Sequence, residues 1–86
     1  MANPVLIDCT AGQWTLVATN VTTGVIHVKS DAPAKYLHTY RDTGGGAPTT
    51  IAEGVPFEDQ VFISATAGVD IYVWSIGENG RVRADL

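Results

Sequence analysis

The residue types that most often carry enzyme chemistry are scarce in this chain of 86 residues. Cys9 supplies the only thiol, and His27 and His38 supply the only imidazoles. The two histidines fall on different predicted strands, and neither has a carboxylate placed to complete a nucleophile and base pair. The His and Cys residues also lack zinc-ligand spacing. We therefore expect no catalytic residue, no metal site and no cofactor, with Cys9 a small buried apolar residue.

One tripeptide, Asp42-Thr43-Gly44, matches the Asp-Thr-Gly of retroviral-type aspartic proteases, in which two subunits each contribute one aspartate. That family has an apolar residue before the Asp, whereas Arg41 precedes it here and two further glycines follow. A neighbouring guanidinium favours the ionised carboxylate, which opposes a proton shared between two aspartates. We expect that the chain is not an enzyme, and we keep a dimeric protease using Asp42 as an alternative.

An aromatic segment toward the C-terminal end has the residue types of a binding surface. One face of the predicted strand 69–76 carries Val and Ile, and the opposite face carries Tyr72, Trp74 and Ile76. A strand that is apolar on both sides must be covered on both sides. Either the segment 43–60 folds over the aromatic face, or Tyr72 and Trp74 belong to a subunit interface, where these residue types are favoured.

A second aromatic stripe is formed by Tyr36, His38 and Tyr40. Because side chains at every second position of a strand share a face, these three lie on the same side of their predicted strand. The stripe is either a half-buried sheet face with its hydroxyl groups in water or an aromatic docking surface for a protein or a sugar. We take Tyr36 and Tyr40 as candidate interface residues, in addition to the three residues of the first segment.

The elements that must position these side chains are predicted to be short antiparallel β-strands. Ten Val, ten Thr and six Ile stand against four Leu, and Gly or Asn interrupts the apolar alternation every eight to twelve residues or so. We predict an all-β fold, a small antiparallel β-sandwich or barrel of about seven to eight strands. The predicted strands are residues 4–9, 13–19, 24–30, 36–41, 49–53, 60–65, 69–76 and 80–85.

Several local features support this assignment. Residues 77–80 contain Asn-Gly, which suits a tight hairpin turn between the last two strands. Residues 20–24 are predicted to form another turn with a bulge, and residues 42–48 a loop, because three successive glycines lose much conformational entropy on ordering. The alternation from residue 13 to 19 predicts Trp14 as a core anchor.

The composition bounds the organisation of the chain. Hydrophobic residues make up 45% and charged residues only 16%, below the roughly 25% charged of an ordinary soluble domain. We predict a single β domain over residues 1–86, with residues 1–4 a possible N-terminal arm. So small a domain has a limited core, and neither a disulfide framework nor a zinc site is available, so a partner subunit is the remaining candidate for extending it.

The charge pattern argues against two classes of partner. The formal net charge is −4, and the five Lys and Arg residues are scattered singly, so no basic patch for nucleic acid is expected. No apolar stretch approaches the length of about 20 residues that a transmembrane helix needs. Asp8 interrupts the first apolar run, so we also expect no secretion leader and no membrane insertion.

Four segments together resemble small β-rich structural proteins of tailed bacteriophages, the proteins that decorate or cement the capsid. The resemblance is one of composition and pattern over roughly residues 13–85. The segments that carry it are the Gly-rich run 43–48, the run 53–57, the apolar run 67–74 and the short final strand 81–85. Membership would imply a non-enzymatic virion protein on the capsid surface, made in the host cytoplasm, that binds the major capsid protein and itself, commonly as a trimer.

Two further functions stay open beside the protease. A tail or spike adaptor of a phage would have the same fold and a different docking site. A small carbohydrate-binding β module would use Tyr36, Tyr40, Tyr72 or Trp74 as stacking platforms.

Overall fold

The chain folds as one antiparallel sheet of six strands, seen in a computed structural model that describes residues 5–28 and 35–85. The strands are β1 (Val5–Cys9), β2 (Trp14–Val28), β3 (Lys35–Asp42), β4 (Val55–Phe57), β5 (Gln60–Ile76) and β6 (Gly80–Asp85). Their order across the sheet is β1-β6-β2-β5-β3-β4. The all-β prediction is confirmed, with six strands in place of seven or eight.

Two long strands, β2 and β5, run through the whole sheet and divide it into two halves. The first part of β2 pairs with the end of β5 from Trp14 opposite Trp74, and its last part pairs with the start of β5 as far as His27 opposite Gln60. Between these regions the register shifts repeatedly, and Asn20 has a left-handed φ of 54°. The strands therefore bend at this point, as bulged strands do.

Because of this bend, two predictions about turns between strands are wrong. Residues 20–24 were expected to form a turn with a bulge, but only the bulge is present, because the chain bends without leaving the sheet. The predicted strands 60–65 and 69–76 are likewise one continuous strand. Periodicity breaks at a bulge as it does at a turn, so local sequence does not separate the two cases.

The predicted hairpin at residues 77–80 is wrong. β6 pairs with β1 and with the end of β2, and β2 lies between β5 and β6 in the sheet. The side chain of Asn79 accepts a hydrogen bond from the backbone N–H of Ala11 at 2.9 Å. The connection therefore crosses over to the strand beyond β2, and Asn79 binds the segment that follows β1.

The predicted strand 49–53 is also wrong. This segment holds a short 3-10 helix, Ile51–Glu53, and Thr50 caps it by accepting a hydrogen bond from the backbone N–H of Ala52 at 3.3 Å. β4 begins only at Val55. The Gly-rich segment is a loop after Asp42, as predicted, whereas the proposed N-terminal arm, residues 1–4, lies outside the described residues.

The core lies between the two halves of a strongly curled sheet. Two strands separate β3 from β6, a distance of about 14 Å in a flat sheet, yet the Tyr36 hydroxyl on β3 accepts a hydrogen bond from the backbone N–H of Arg81 on β6 at 3.0 Å. The buried apolar cluster draws on five of the six strands. Its members are Cys9, Val17, Ala18, Val21, Ile26, Tyr36, Ile63, Val69, Ile71, Val73, Val82 and Ala84.

The total exposed area of the chain is that of an ordinary monomer. It measures 5081 Å², and the usual scaling with mass gives about 4,900 Å² for a folded chain of this size. Total area therefore gives no independent sign of a missing subunit, and what distinguishes this surface is which side chains form it.

Candidate functional site

The five candidate interface residues differ widely in exposure. Tyr36 and Tyr72 are buried within the chain, and Trp74 is half-buried. Ile76 and Tyr40 are exposed, and Tyr40 leaves 57% of its area in solvent. Only the last two therefore offer a partner a large area without rearrangement.

A segment of the same chain covers the face that carries Trp74. The rings of Trp14 and Trp74 make a T-shaped contact with centroids 5.4 Å apart, and the Trp14 Nε1–H donates to the carbonyl of Thr50 at 3.3 Å. A Cβ placed on Gly54 would lie 2.9 Å from Trp14 Cη2 and 2.8 Å from Leu37 Cβ. The segment from Thr50 to Gly54 therefore lies against this face, in line with the first of the two hypotheses. Trp14 is half-buried here and is not the core anchor that was predicted.

The second aromatic stripe faces the inside of the curled sheet and runs from buried to exposed. Tyr36 is in the core, His38 is half-buried and Tyr40 is exposed. The Phe57 ring on β4 packs against Tyr36 with centroids 5.9 Å apart and against His38 at 5.4 Å. The hypothesis of a partly buried sheet face therefore fits the Tyr36 end of the stripe, which is in the core. The hypothesis of a docking surface fits the Tyr40 end, which is available to a partner.

The exposed end of the stripe opens into a cleft with a volume of about 210 Å³ between β3 and the start of β5. Phe62 lies in its wall with 66% of its area exposed, the highest value among the exposed large hydrophobic residues. We call His38, Tyr40 and Phe62 the Tyr40–Phe62 patch. Sequence reasoning missed Phe62, although the run Val61-Phe62-Ile63 gave a signal, because one side chain of such a run must face outward from a sheet.

The Tyr40–Phe62 patch carries no charge at neutral pH. Burial lowers the pKa of His38, so its imidazole is neutral there. Its Nδ1 atom is buried and has no hydrogen-bond partner among the described residues. The remaining lining residues are Ile63, Ser64 and Ala65, so the cleft suits an uncharged group.

None of the side chains that form the ion pairs of the sheet lines the cleft. The ion pairs join Arg41 to Glu53, Arg81 to Asp8 at 2.8 Å and Arg83 to Asp85 at 3.3 Å, and His27 Nε2 lies 2.9 Å from Asp85 Oδ2. All of these side chains keep a substantial exposed fraction, so each pair contributes little to stability.

A buried carboxylate, Asp70 on β5, organises the bend of the sheet. Its Oδ1 accepts hydrogen bonds from Thr19 Oγ1 at 2.6 Å, from the Asn20 backbone N–H at 3.2 Å and from Thr43 Oγ1 at 3.2 Å. Its Oδ2 accepts from the Gly44 backbone N–H at 3.4 Å. Asp70 thus ties the bulge of β2 to the Gly-rich loop, and two residues of the protease-like tripeptide donate to it in a turn.

The stability of the chain should fall in acid because of Asp70. Its hydrogen bonds, with that of Thr19 the largest cause, hold the pKa of Asp70 below its ordinary value despite the opposing effect of burial. A carboxyl whose folded pKa is depressed stabilises fully above its unfolded pKa of about 3.9 and loses that contribution as the pH falls through the folded pKa. We expect the difference in Tm between the wild type and Asp70→Asn to be constant above about pH 5 and to shrink below about pH 4. Thermal melts from pH 7 to pH 2 measure it, and a constant difference throughout would contradict this role.

A larger cavity of about 890 Å³ lies between β3, β4 and the ends of β2 and β5. Its walls include Tyr36, Phe57 and Ile76, with Glu58 and Asp59 among its lining residues. It is also lined by Val28 and Lys35, the residues on either side of the segment 29–34, which the structure does not describe.

Cys9 is buried, as predicted. Burial, with a smaller contribution from Asp8, raises the pKa of its thiol to about 11, so the thiol is protonated at neutral pH. Within residues 5–28 and 35–85, no three His, Cys, Asp or Glu side chains come together as a metal site would require. The same residues contain no helix of the length and apolarity needed to cross a membrane.

Comparison with known proteins adds no relative from which a role could be transferred. No protein-family model, no curated protein and no solved structure matches this chain.

Proposed function

We propose that this chain is a non-enzymatic structural protein of a virion, which binds the major capsid protein and stabilises the shell. The Tyr40–Phe62 patch makes the contact. The observation that carries the proposal is that Tyr40 and Phe62, which are 57% and 66% exposed, both line one cleft that has no Asp, Glu, Lys or Arg in its lining. Large aromatic side chains held in this way are typical of the anchors of protein interfaces.

The chemistry of the patch fits a lasting contact with another protein. Burying two aromatic side chains removes much apolar area from water, at about 25 cal/mol for each Å². His38 is neutral and no ion-paired side chain lines the cleft, so little charge has to be desolvated on binding. The association should therefore change little with salt, unlike one driven by surface charges.

The contact can be modest for each copy and still stabilise a shell. A capsid presents the same docking site many times, so a decorating protein acts by cross-linking neighbouring subunits through many repeated contacts. Once one contact is made, the effective concentration for the next is high. The lattice thereby gains resistance to internal pressure that no single contact provides.

Replacing Phe62 should abolish most of this binding. We expect Phe62→Ser to weaken co-sedimentation with expanded capsids of a tailed bacteriophage, stripped of their own decoration protein, by at least about tenfold, as for a hot-spot residue. Leu16→Ser is the matched control, because Leu16 is also an exposed large hydrophobic residue but lies outside the lining of the cleft. It should leave binding within about twofold of the wild type.

Equal losses of capsid binding in the two variants, or no loss with Phe62→Ser, would show that the Tyr40–Phe62 patch is not the binding surface. Binding to purified tails or spikes, with no binding to capsids, would move the same contact to the adaptor function. In that case the Tyr40–Phe62 patch would still be the binding surface, and its partner would be a tail or spike protein.

A carbohydrate-binding module is the second candidate, and the exposed ring of Tyr40 favours it. Of the four proposed stacking platforms, Tyr36 and Tyr72 are buried, so a sugar would have to use Tyr40 with Phe62, or the half-buried Trp74. A glycan array decides between the two functions. Saturable binding that Tyr40→Ala removes would favour the sugar module, and the capsid proposal predicts none.

A further inference from the structure

Within residues 5–28 and 35–85, the β1 edge of the sheet is open. β1 pairs with β6 from Val5 opposite Ala84 to Cys9 opposite Gly80, and no described strand pairs with its other side. Parts of β1 also come close to β2 and β5 without pairing with them, and just beyond β1 Ala11 forms a bridge with Ser75. The outward-facing backbone N–H and C=O groups of β1 are therefore open to an added strand. Those groups specify the chemistry of the occupant, since an extended backbone satisfies them in register.

The two edges of the sheet differ in how they are protected. β4, the opposite edge, has three residues, includes Pro56, and is followed by Glu58 and Asp59. A short strand, a proline and nearby charges are the usual means of preventing edge pairing. β1 has five residues without proline or lysine, and Val5 and Leu6 are 52% and 49% exposed. Only the β1 edge is therefore suited to pairing.

This difference selects the symmetry of any assembly through the edges. A ring of three copies would join β1 of each copy to β4 of the next, and Pro56 has no N–H to donate to such a contact. A two-fold arrangement uses the β1 edge of both copies and leaves β4 alone. Antiparallel pairing of identical strands has this symmetry.

Charge and apolarity then select the register. With the two-fold axis at Leu6, Leu6 lies opposite Leu6 of the second copy, and Val5 lies opposite Ile7. The two Asp8 side chains are then offset by four residues, about 13 Å along the strands. With the axis at Ile7, Asp8 would face an apolar Leu6, and a parallel in-register pair would place the two Asp8 carboxylates together.

We propose that two copies of the chain associate through β1, antiparallel, with Leu6 opposite Leu6, to form one continuous sheet across the dimer. The inner faces of the two sheets join at Val5 and Ile7, which are on the core side of β1 with Cys9. So short a contact buries less than the roughly 1,200 Å² of a standard interface, so the dimer is weak and populated at high local concentration. It replaces the threefold assembly that the phage resemblance implied, and it does not depend on capsid binding.

Disulfide trapping tests the pairing and its register together. In the proposed dimer, Leu6→Cys places two thiols opposite each other at a separation that a disulfide spans, whereas the thiols of Asp8→Cys are too far apart. Both positions are exposed and on the same face of β1, and Asp8 is the more exposed of the two, so random collisions alone would favour Asp8→Cys. Under mild oxidation of the purified protein at high concentration, we expect Leu6→Cys to form the covalent dimer at least about tenfold faster than Asp8→Cys.

Two controls separate trapping of the proposed dimer from oxidation of Cys9 and from misfolding of a variant. The wild type measures the contribution of the buried Cys9, and near-UV circular dichroism checks that each variant is folded. Equal trapping rates for the two variants would overturn the pairing. Faster trapping in a mixture of the two variants than with Leu6→Cys alone would overturn the register. A stable trimer by light scattering would also overturn the two-fold dimer, whereas loss of capsid binding by Phe62→Ser concerns only the proposed function.

Discussion

Replacing Asp70 with Ala should lower the Tm of this chain by about 10 °C or more, as expected when a domain of this size loses a charged hydrogen-bond network. The side chain is 8% exposed and accepts from four donors on two segments that are distant in sequence. Without it, the backbone N–H groups of Asn20 and Gly44 lose their charged acceptor. Asn20 also loses the contact that supports its φ of 54° within a strand, so the bend of β2 and the Gly-rich loop are destabilised together.

Two comparisons separate this role from a general effect of removing charge. Asp85→Ala removes a half-buried carboxylate that contacts His27 and Arg83, and its Tm should stay within about 3 °C of the wild type. Thr19→Val removes only the shortest of the four hydrogen bonds and should give an intermediate loss. Differential scanning calorimetry at pH 7 measures all three. Similar values for Asp70→Ala and Asp85→Ala would show that the network does not hold the bend.

The sequence predicts those parts of the fold that depend on neighbouring residues, and it does not predict those that depend on contacts between distant segments. Alternation of apolar residues predicted β3 and β6 within one residue of their ends, because the side chains that face the core are set within each strand. The alternation of apolar residues does not predict that β6 crosses over to the far side of β2. Asn-Gly at residues 79–80 has the local chemistry of a hairpin, and the contact that redirects it is with Ala11, at the other end of the chain.

In the candidate site, too, the sequence predicted the local arrangement of the side chains but not their long-range contacts. Period-two spacing placed Tyr36, His38 and Tyr40 on one face, and Tyr40 is now part of the Tyr40–Phe62 patch. The spacing does not say whether a face is covered, and coverage depends on which segment packs against it. For Trp74 this depends on Thr50 and Gly54, whose positions follow from a 3-10 helix that was predicted as a strand.

Asp70 and Phe62 are the two clearest departures from the apolar-inside pattern, and they differ in what compensates them. A buried carboxylate is tolerated because hydrogen-bond donors satisfy it, and for Asp70 these donors belong to Thr19, Asn20, Thr43 and Gly44. An exposed phenylalanine has no such compensation among the described residues. The first departure therefore has a structural explanation, and for the second we propose the capsid contact.

Replacing Gly80 with Ala should destabilise the chain by about 1–3 kcal/mol, the usual cost of overpacking a core. Gly80 begins β6, and a Cβ at this position would lie 2.2 Å from the Tyr36 hydroxyl oxygen and 2.7 Å from Cζ of the same ring. Tyr36 is buried and bound to the backbone of Arg81, so the ring has little freedom to move aside. Urea unfolding should show a lower midpoint with an unchanged m-value.

A double-mutant cycle with Tyr36→Phe shows whether this contact is the cause. In the wild-type background, Tyr36→Phe should cost about 1 kcal/mol, because the Arg81 N–H loses the hydroxyl acceptor. In the Gly80→Ala background the same change also removes the atom nearest the new methyl group, so it should cost less or become favourable. We expect a coupling energy of at least about 0.5 kcal/mol between the two sites. Additive effects would mean that Gly80 is required by the backbone of β6, and that the curled sheet does not depend on the close approach of β3 to β6 at this point.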